Sequence, residues 1–532
     1  MQNLCQEHNL LKIEDGIVRV PFLVKGQLRF PPQVKRQAIE AAFQAGDPQA
    51  QYLRLPDAQV LRHARIDPSR RELAGETLYL VMPVFQTLEL VETDFDRLAH
   101  EPYALRVEDI VTYLGRLFGH FRRYWPVVEQ VRDIYAQISE YPQVFLDVAL
   151  EPLRAGMDSA VIRMIIDHEL SVWKLPGGKF LDGWVELPLH YLSGTTAQLA
   201  AHLSGFSPVP HTAKIQLRAM PTRQLHITAG NAPEIPLLSA TRMILSKSVG
   251  VIKSPADAVL SGALLALGAA AALPEHPFTR NLSVVYWHGG DESIEQTLFA
   301  PNAFDRIVVW GSPEAVTSVQ ARAIYTKVIS LNPRYGVSML GSEVFTGDLR
   351  QVASLAACDA LIYNQKACTA SQLQYVEGSL AQVQEYAACL QQALQAWDEA
   401  LPPFHLPGAR GKLKRMRRGK YAQSEWLINS TGGEFSSGVL VMPGEFDILD
   451  HPMSRLVVVR PVERLQDALR YLHAGVSTVG VYPEKHRLEL RDAILARGVS
   501  SVLPLGQCEN YFPAAPQDGM MILNQLVDWK VS

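Results

Sequence analysis

Between Gln224 and Ser312 the chain repeats one unit: a short apolar strand that runs into a turn of small or polar residues. Gln224-Leu225-His226-Ile227-Thr228-Ala229 leads to Gly230-Asn231, and Gly250-Val251-Ile252-Lys253 leads to Ser254-Pro255. Leu282 to Trp287 leads to Gly289-Gly290, and Arg306 to Trp310 leads to Gly311-Ser312. Helix-like stretches lie between, the first from Ile235 to Ser248. Short apolar strands alternating with helices build βαβ units, so the pattern predicts a parallel sheet in an α/β protein. Such sheets bind ligands at the carboxyl ends of their strands, where Gly230, Lys253, Gly289 and Gly311 fall. Ser254-Pro255-Ala256-Asp257 reads as a helix start, with Ser254 as N-cap and an acid three residues on.

Bulk properties remove several classes of function. With 532 residues, 48% of them hydrophobic, and a net charge of −4, the chain has material for two or three domains and no cationic excess for nucleic acid. Met1-Gln2-Asn3-Leu4-Cys5 lacks the basic start and apolar core of a signal peptide, so the expected compartment is the cytoplasm. Five cysteines (Cys5, Cys358, Cys368, Cys389, Cys508) without a C-x-x-C pair predict neither a disulfide framework nor a metal site. The most apolar run, Ala258 to Leu273, is shorter than the roughly 20 residues of a membrane span and reads as a buried helix.

Residues 1–105 alternate strand-like pieces with polar loops and form a small mixed domain without catalytic constellation. From Val107 to Leu170, Ile110, Tyr113, Leu114, Leu117 and Phe118 recur at helical spacing. Trp184 to Leu189 and Ala213 to Arg218 alternate as a half-exposed ribbon suited to a partner subunit. Asp348-Leu349-Arg350-Gln351 opens a helix that leads to the segment Leu361 to Gln372. There Cys368 stands among Asn, Gln, Lys, Thr and Ser. A nucleophilic thiol needs such donors and positive charge, yet buried packing cysteines are common, and local composition leaves both readings open. Tyr375 to Leu401 reads as a long helix. A basic run from Arg410 to Lys420 reads as a solvated connection, with docking of a CoA phosphate or an acidic partner as the alternative, and Ser454 to Pro461 reads as a strand. His226 and His288 lack partners for ligation or base catalysis and read as structural.

The order of these features resembles the aldehyde dehydrogenase superfamily, in particular its LuxC-type acyl-CoA reductase branch. The residues that carry the resemblance are Gly230-Asn231-Ala232-Pro233, Val251-Ile252-Lys253-Ser254-Pro255, Val309-Trp310-Gly311-Ser312, Asn364-Gln365-Lys366-Ala367-Cys368-Thr369, and Pro516-Gln517-Asp518-Gly519 with Trp529. It runs from about Arg106 to the end. The resemblance implies an aldehyde-dehydrogenase-like fold: a Rossmann-type cofactor domain over 106–345 with the oligomerisation ribbon near 183–220, a catalytic domain over 346–500, and a C-terminal return over 501–532. It further implies that Cys368 attacks an acyl thioester and Asn231 lends its amide to the oxyanion. Lys253 and Ser254 would hold the ribose or 2′-phosphate of NADPH, or of NADH, and Gly311 and Ser312 its pyrophosphate. The implied partners are an acyl-CoA or acyl-carrying protein, an acyl-activating synthetase, and further copies of the chain as a dimer or tetramer.

Three departures from ordinary aldehyde dehydrogenases bear on the chemistry. The segment that supplies their general-base Glu corresponds to Leu331-Asn332-Pro333-Arg334-Tyr335-Gly336, which has none. Their Glu-x-Phe-Gly-Pro corresponds to His451-Pro452-Met453-Ser454-Arg455, and the second small residue of the pyrophosphate turn is Val316. Hydrolysis of an acyl-enzyme needs a group to activate water, whereas reduction needs a thiol, an oxyanion site and hydride. The missing Glu therefore favours reduction of the thioester to an aldehyde. An acyltransferase using the same cysteine, or a non-catalytic scaffold of the same fold, are the alternatives.

Overall fold

The repeat that begins at Gln224 folds into one sheet. A computed structural model describes residues 1–187, 202–203, 215–405, 407–509 and 514–532. Its first large sheet runs, edge to edge, Lys327–Leu331, Arg306–Trp310, Arg223–Ile227, Val249–Lys253, Leu282–Val285, Phe22–Val24, Gln27–Arg29. The first five strands are parallel and the last two antiparallel. Helices Ile235–Leu245 and Val259–Ala272 connect the central strands. Val259–Ala272 is buried along nearly its whole length, which accounts for its unbroken apolar sequence. No helix among the described residues is long and apolar enough to cross a membrane.

Ser254 does not cap that helix. Residues Ala256–Ala258 make a 3-10 turn and Ala258 takes the cap position. Ser254 instead closes the strand: its N–H donates to the Val285 carbonyl at 2.8 Å. Its hydroxyl packs where Gly262 leaves room, since a Cβ on that glycine would lie 2.1 Å from it.

A second sheet runs Glu425–Thr431, Glu434–Val441, Leu456–Val462, Ser371–Glu377, Tyr335–Leu340, Val476–Tyr482, Ser501–Pro504, parallel except for its first strand. Two sequence readings are corrected here. The expected helix from Tyr375 begins as the strand Ser371–Glu377, and the helix is Leu380–Ala400, started by a reciprocal Ser379/Gln382 capping box. The basic run is no loop: Pro407–Arg418 is a helix that buries Leu413 and Met416. Those two apolar residues, three apart, suffice to seat one face.

Residues 1–105 contribute to two sheets. Phe22–Val24 and Gln27–Arg29 extend the first large sheet, and Ile13–Glu14, Ile17–Arg19, Glu72–Pro83, Ala58–Asp67, Tyr52–Arg54 make a sheet of their own. Four helices then follow over 107–169, Val107–Arg123 presenting the expected buried stripe of Ile110, Tyr113, Leu114, Leu117 and Phe118. Of the ribbon, Val185–Leu187 and Ile215–Met220 pair antiparallel, and the terminal strand Asp528–Val531 joins on the other side. Pro188, Leu189, Ala213 and Lys214 lie outside the described residues. The five cysteines are all free thiols.

Candidate active site

The segment that carries the cysteine follows helix Leu349–Leu361, whose N-cap Asp348 accepts from the Gln351 N–H at 3.0 Å. It then turns left-handed for three residues: φ is 45° at Tyr363, 52° at Asn364 and 68° at Gln365. Side chains rarely tolerate this region, at a cost of order 1–3 kcal/mol each, so the surroundings must enforce it. They do so one residue at a time. The Tyr363 hydroxyl donates to Glu234 at 2.9 Å, the buried Arg455 guanidinium donates to the Asn364 side-chain oxygen at 2.9 Å, and the Gln365 amide donates to the Leu456 carbonyl at 2.7 Å. Arg455 is itself held by Asp398 at 2.8 Å.

Asn231 meets this same segment from the other sheet. Its side-chain amide donates to the Lys366 carbonyl at 3.0 Å, two residues before Cys368. Its own carbonyl accepts from the Tyr141 hydroxyl at 2.7 Å. An amide nitrogen carries two hydrogens, so one N–H is left over. The Lys366 ammonium, a sequence candidate for activating the thiol, is instead ion-paired with the buried Glu140 and lies 5.9 Å from the Tyr141 ring centre. Burial raises the Glu234 carboxyl above its ordinary range, and one of its oxygens has no hydrogen-bond partner among the described residues.

Cys368 is half-buried. Burial and the nearby Asp518 carboxylate raise its thiol pKa, while a hydrogen bond from the Ser477 hydroxyl and the Arg334 charge act in the opposite direction. Arg334 lies 3.5 Å from Asp518 and donates to the Ser500 hydroxyl at 2.6 Å. Asp518 sits in a tight turn closed by reciprocal Gln517–Met520 hydrogen bonds, with φ 49° at Asp518 and 77° at Gly519. Burial lifts its carboxyl above the usual range against the pull of Arg334 and Arg242. Sequence reading missed Ser477 and the role of Asp518 beside the thiol. The only available signal was the Asp-Gly pair, a turn marker that says nothing about what the turn faces.

The proposed cofactor residues gather at one edge. Ile227, Lys253, Val285 and Val309 stand at the carboxyl ends of neighbouring strands. The Lys253 ammonium has no hydrogen bond or ion pair among the described residues. It lies 5.8 Å from the Tyr286 ring and 5.6 Å from that of Trp287, and burial lowers its pKa to about 8. Ser312 caps helix Pro313–Arg322 by accepting from Ala315 N–H at 3.4 Å, with Gly311 immediately before it. A lysine short of acceptors beside a capped helix start fits the ribose and phosphates of a dinucleotide. The Ser254 hydroxyl is buried and packs on Gly262 near the start of the following helix. The first hundred residues also reach it: Tyr52 stacks on His288 at 4.7 Å, and Gln59 donates to the Tyr286 carbonyl at 3.0 Å. His226 is buried against Gln224, as its structural reading required.

Two parallel-sheet domains that bring a strand-end lysine and a cysteine loop to a common Asn turn define the aldehyde dehydrogenase fold, and comparison with solved structures bears this out. Aldehyde dehydrogenase C of Pseudomonas syringae, solved as a mutant with NAD+ and octanal, superposes with a TM-score of 0.65 at 12% identity, covering 96% of both chains. The NADP-dependent glyceraldehyde-3-phosphate dehydrogenase of Bacillus halodurans gives 0.65 at 14% identity, over 96% of this chain and 98% of that one. Within this fold, residues 207–529 match the acyl-CoA reductase (LuxC) family, and the chain belongs to that family. It is similar to the long-chain acyl-protein thioester reductases of Photorhabdus laumondii, 28% identical over 328 residues, and Vibrio harveyi, 27% over 316. Those matches take in 59% and 58% of this chain and 64% of each relative.

Proposed function

We propose that the chain is a reductase that converts a fatty acyl thioester, carried on CoA or on a protein, to the aldehyde through an acyl group held on Cys368. The observation that carries this reading is the hydrogen bond from Asn231 to the Lys366 carbonyl, which brings an amide donor into the loop of the half-buried Cys368 thiol. The similarity to long-chain acyl-protein thioester reductases supports it.

In the first half-reaction Cys368 gives its proton to Asp518, whose lifted pKa makes it a better acceptor than an ordinary carboxylate. The sulfur adds to the thioester carbonyl. The spare N–H of Asn231 meets the oxygen that becomes negative, and a donor placed there is typically worth ~10²–10³ in rate. Collapse expels the carrier thiolate, which recovers the proton from Asp518 and leaves the acyl group on sulfur. NADPH, when bound, would supply hydride to that acyl carbon. Lys253 would hold its ribose or 2′-phosphate, and Gly311 with Ser312 its pyrophosphate at the helix start. Ser254, whose N–H fixes the strand end on the Val285 carbonyl, would stand beside Lys253 at this edge. Asn231 serves each oxyanion formed at the acyl carbon, and Ser477 steadies the sulfur as it departs. The Leu331–Gly336 segment carries no carboxylate of its own to activate water.

The test is NADPH oxidation, with aldehyde identified as product, across acyl-CoAs of increasing length. Thioester-dependent oxidation is expected. Exchange of the acyl group onto an added thiol without oxidation would make the chain an acyltransferase, and no turnover of any thioester would leave only a scaffold.

A further inference from the structure

Seven cations and no acid stand between Arg410 and Lys420, in a chain whose net charge is −4. Six of them lie on the helix Pro407–Arg418, spaced so that Arg410, Lys414 and Arg418 recur at four residues and Lys412–Arg415 and Lys414–Arg417 at three. Like charges at these spacings repel on a helix surface. The helix dipole favours Arg415, Arg417 and Arg418 in the last turn but not Arg410, Lys412 or Lys414 earlier on. Three of the seven have partners that explain them: Arg410 pairs with Glu434 at 3.4 Å, Lys420 with Asp450 at 3.1 Å, and Lys412 donates to the Leu449 and His451 carbonyls at 2.7 and 2.8 Å. Lys414, Arg415, Arg417 and Arg418 are exposed and have no hydrogen bond or ion pair among the described residues.

The location is as informative as the charge. Lys412 grips the His451 carbonyl, the His451 ring meets the Leu456 carbonyl at 2.8 Å, and that carbonyl also accepts from Gln365, three residues before Cys368. The basic helix and the cysteine loop are thus braced on one segment. Beside the helix, Arg415, Met416 and Tyr421 line a cavity of about 230 Å³ with Lys412, Lys420 and Asp450. Arg415 is its only cation without a partner among the described residues, so the cavity can receive one acidic side chain.

We propose that this helix is the docking face for an acidic protein that brings the acyl group as a thioester. The proposal rests on the reductase reading and adds the surface that selects a protein-borne substrate. Opposed charges across such a face raise the association rate and fix orientation, with strong dependence on salt. A uniformly cationic face that self-repels in the free protein is relieved when the partner arrives.

Acyl carrier protein, small and acidic, serves as the probe. Its binding to the wild-type chain and to the variant Lys414→Gln/Arg415→Gln/Arg417→Gln/Arg418→Gln is measured by fluorescence anisotropy, alongside NADPH oxidation with the same acyl group on the carrier protein and on CoA. The proposal expects wild-type binding that weakens about tenfold on raising salt, and at least tenfold weaker binding by the variant. It also expects a matching fall in kcat/KM for the protein-borne thioester, and less than threefold change with acyl-CoA. The variant should melt no lower than wild type, since the repulsion is gone. No binding by the wild type, or equal kcat/KM losses on both thioesters, overturns it. Loss confined to acyl-CoA also overturns it, by placing the nucleotide phosphates of CoA on this helix. If no thioester is reduced by the wild type while salt-sensitive binding persists, the reductase reading fails and the docking face stands.

Discussion

At the scale of single residues, the site depends on a balance around one sulfur. Asp518 raises the Cys368 pKa and Arg334 lowers it. Asp518→Asn removes a raising influence, so the alkaline rise in iodoacetamide alkylation of Cys368 should move to lower pH, while Arg334→Gln should move it to higher pH. Turnover by Asp518→Asn should nonetheless fall, because the proton acceptor is lost. Asn231→Ala should lower kcat by ~10²–10³ with little change in KM, as expected for a donor used at the oxyanion. Lys253 gives a second pH dependence. Its ammonium loses its proton near pH 8 in the free protein. Cofactor affinity should therefore be constant below that pH and weaken above it, as measured by quenching of protein fluorescence, and Lys253→Met should abolish the dependence. The glycine and asparagine turns and the cysteine were legible in sequence because each is chemically marked and short-range. Arg334 was noted only as part of a segment lacking Glu, and Ser477 was not noted at all. What matters about both is which residue they face across the sheet, and no local pattern encodes that.

At the scale of elements, the left-handed run Tyr363–Gln365 is the feature that sequence could not announce. None of its residues is glycine, and its shape is imposed by Glu234 from one segment and by the adjacent Arg455 and Leu456 from another. Arg455 is the central strut, tied to Asn364, Asp398 and the Leu401 carbonyl. Arg455→Ala would strand the buried Asp398 and release Asn364. Its expected cost is about 3–5 kcal/mol, typical of breaking a buried pair, measured by urea unfolding, with acylation of Cys368 impaired under conditions where the variant is still folded. The parallel strands were legible because a buried strand is a run of apolar residues closed by a turn, and the bounds of Arg306–Trp310 agree to the residue. The segment after Cys368 was read as helix because Tyr375, Val376 and the alanines beyond fit either period, and only pairing with Leu456–Val462 and Tyr335–Leu340 decides for a strand.

At the scale of the whole molecule, the cysteine loop belongs to both domains. Ile362, Tyr363 and Ala370 are part of the apolar core that includes Leu225, Val251 and Leu264 of the cofactor side and Leu23 and Leu80 of the first hundred residues. The second sheet has its own cores on either face. The thiol therefore hangs from the second large sheet but is seated on the core of the first, which keeps Asn231, Lys253 and Cys368 in fixed relation. The central claim is that this arrangement exists to hold an acyl group. It is tested most directly by incubating the protein with a long-chain acyl-CoA in the absence of NADPH and measuring intact mass and peptide masses. The account predicts one acyl group added, located on Cys368, removed by hydroxylamine, discharged on adding NADPH, and absent from Cys368→Ala. An adduct retained by Cys368→Ala, or no adduct on the wild type at any thioester tried, would contradict it.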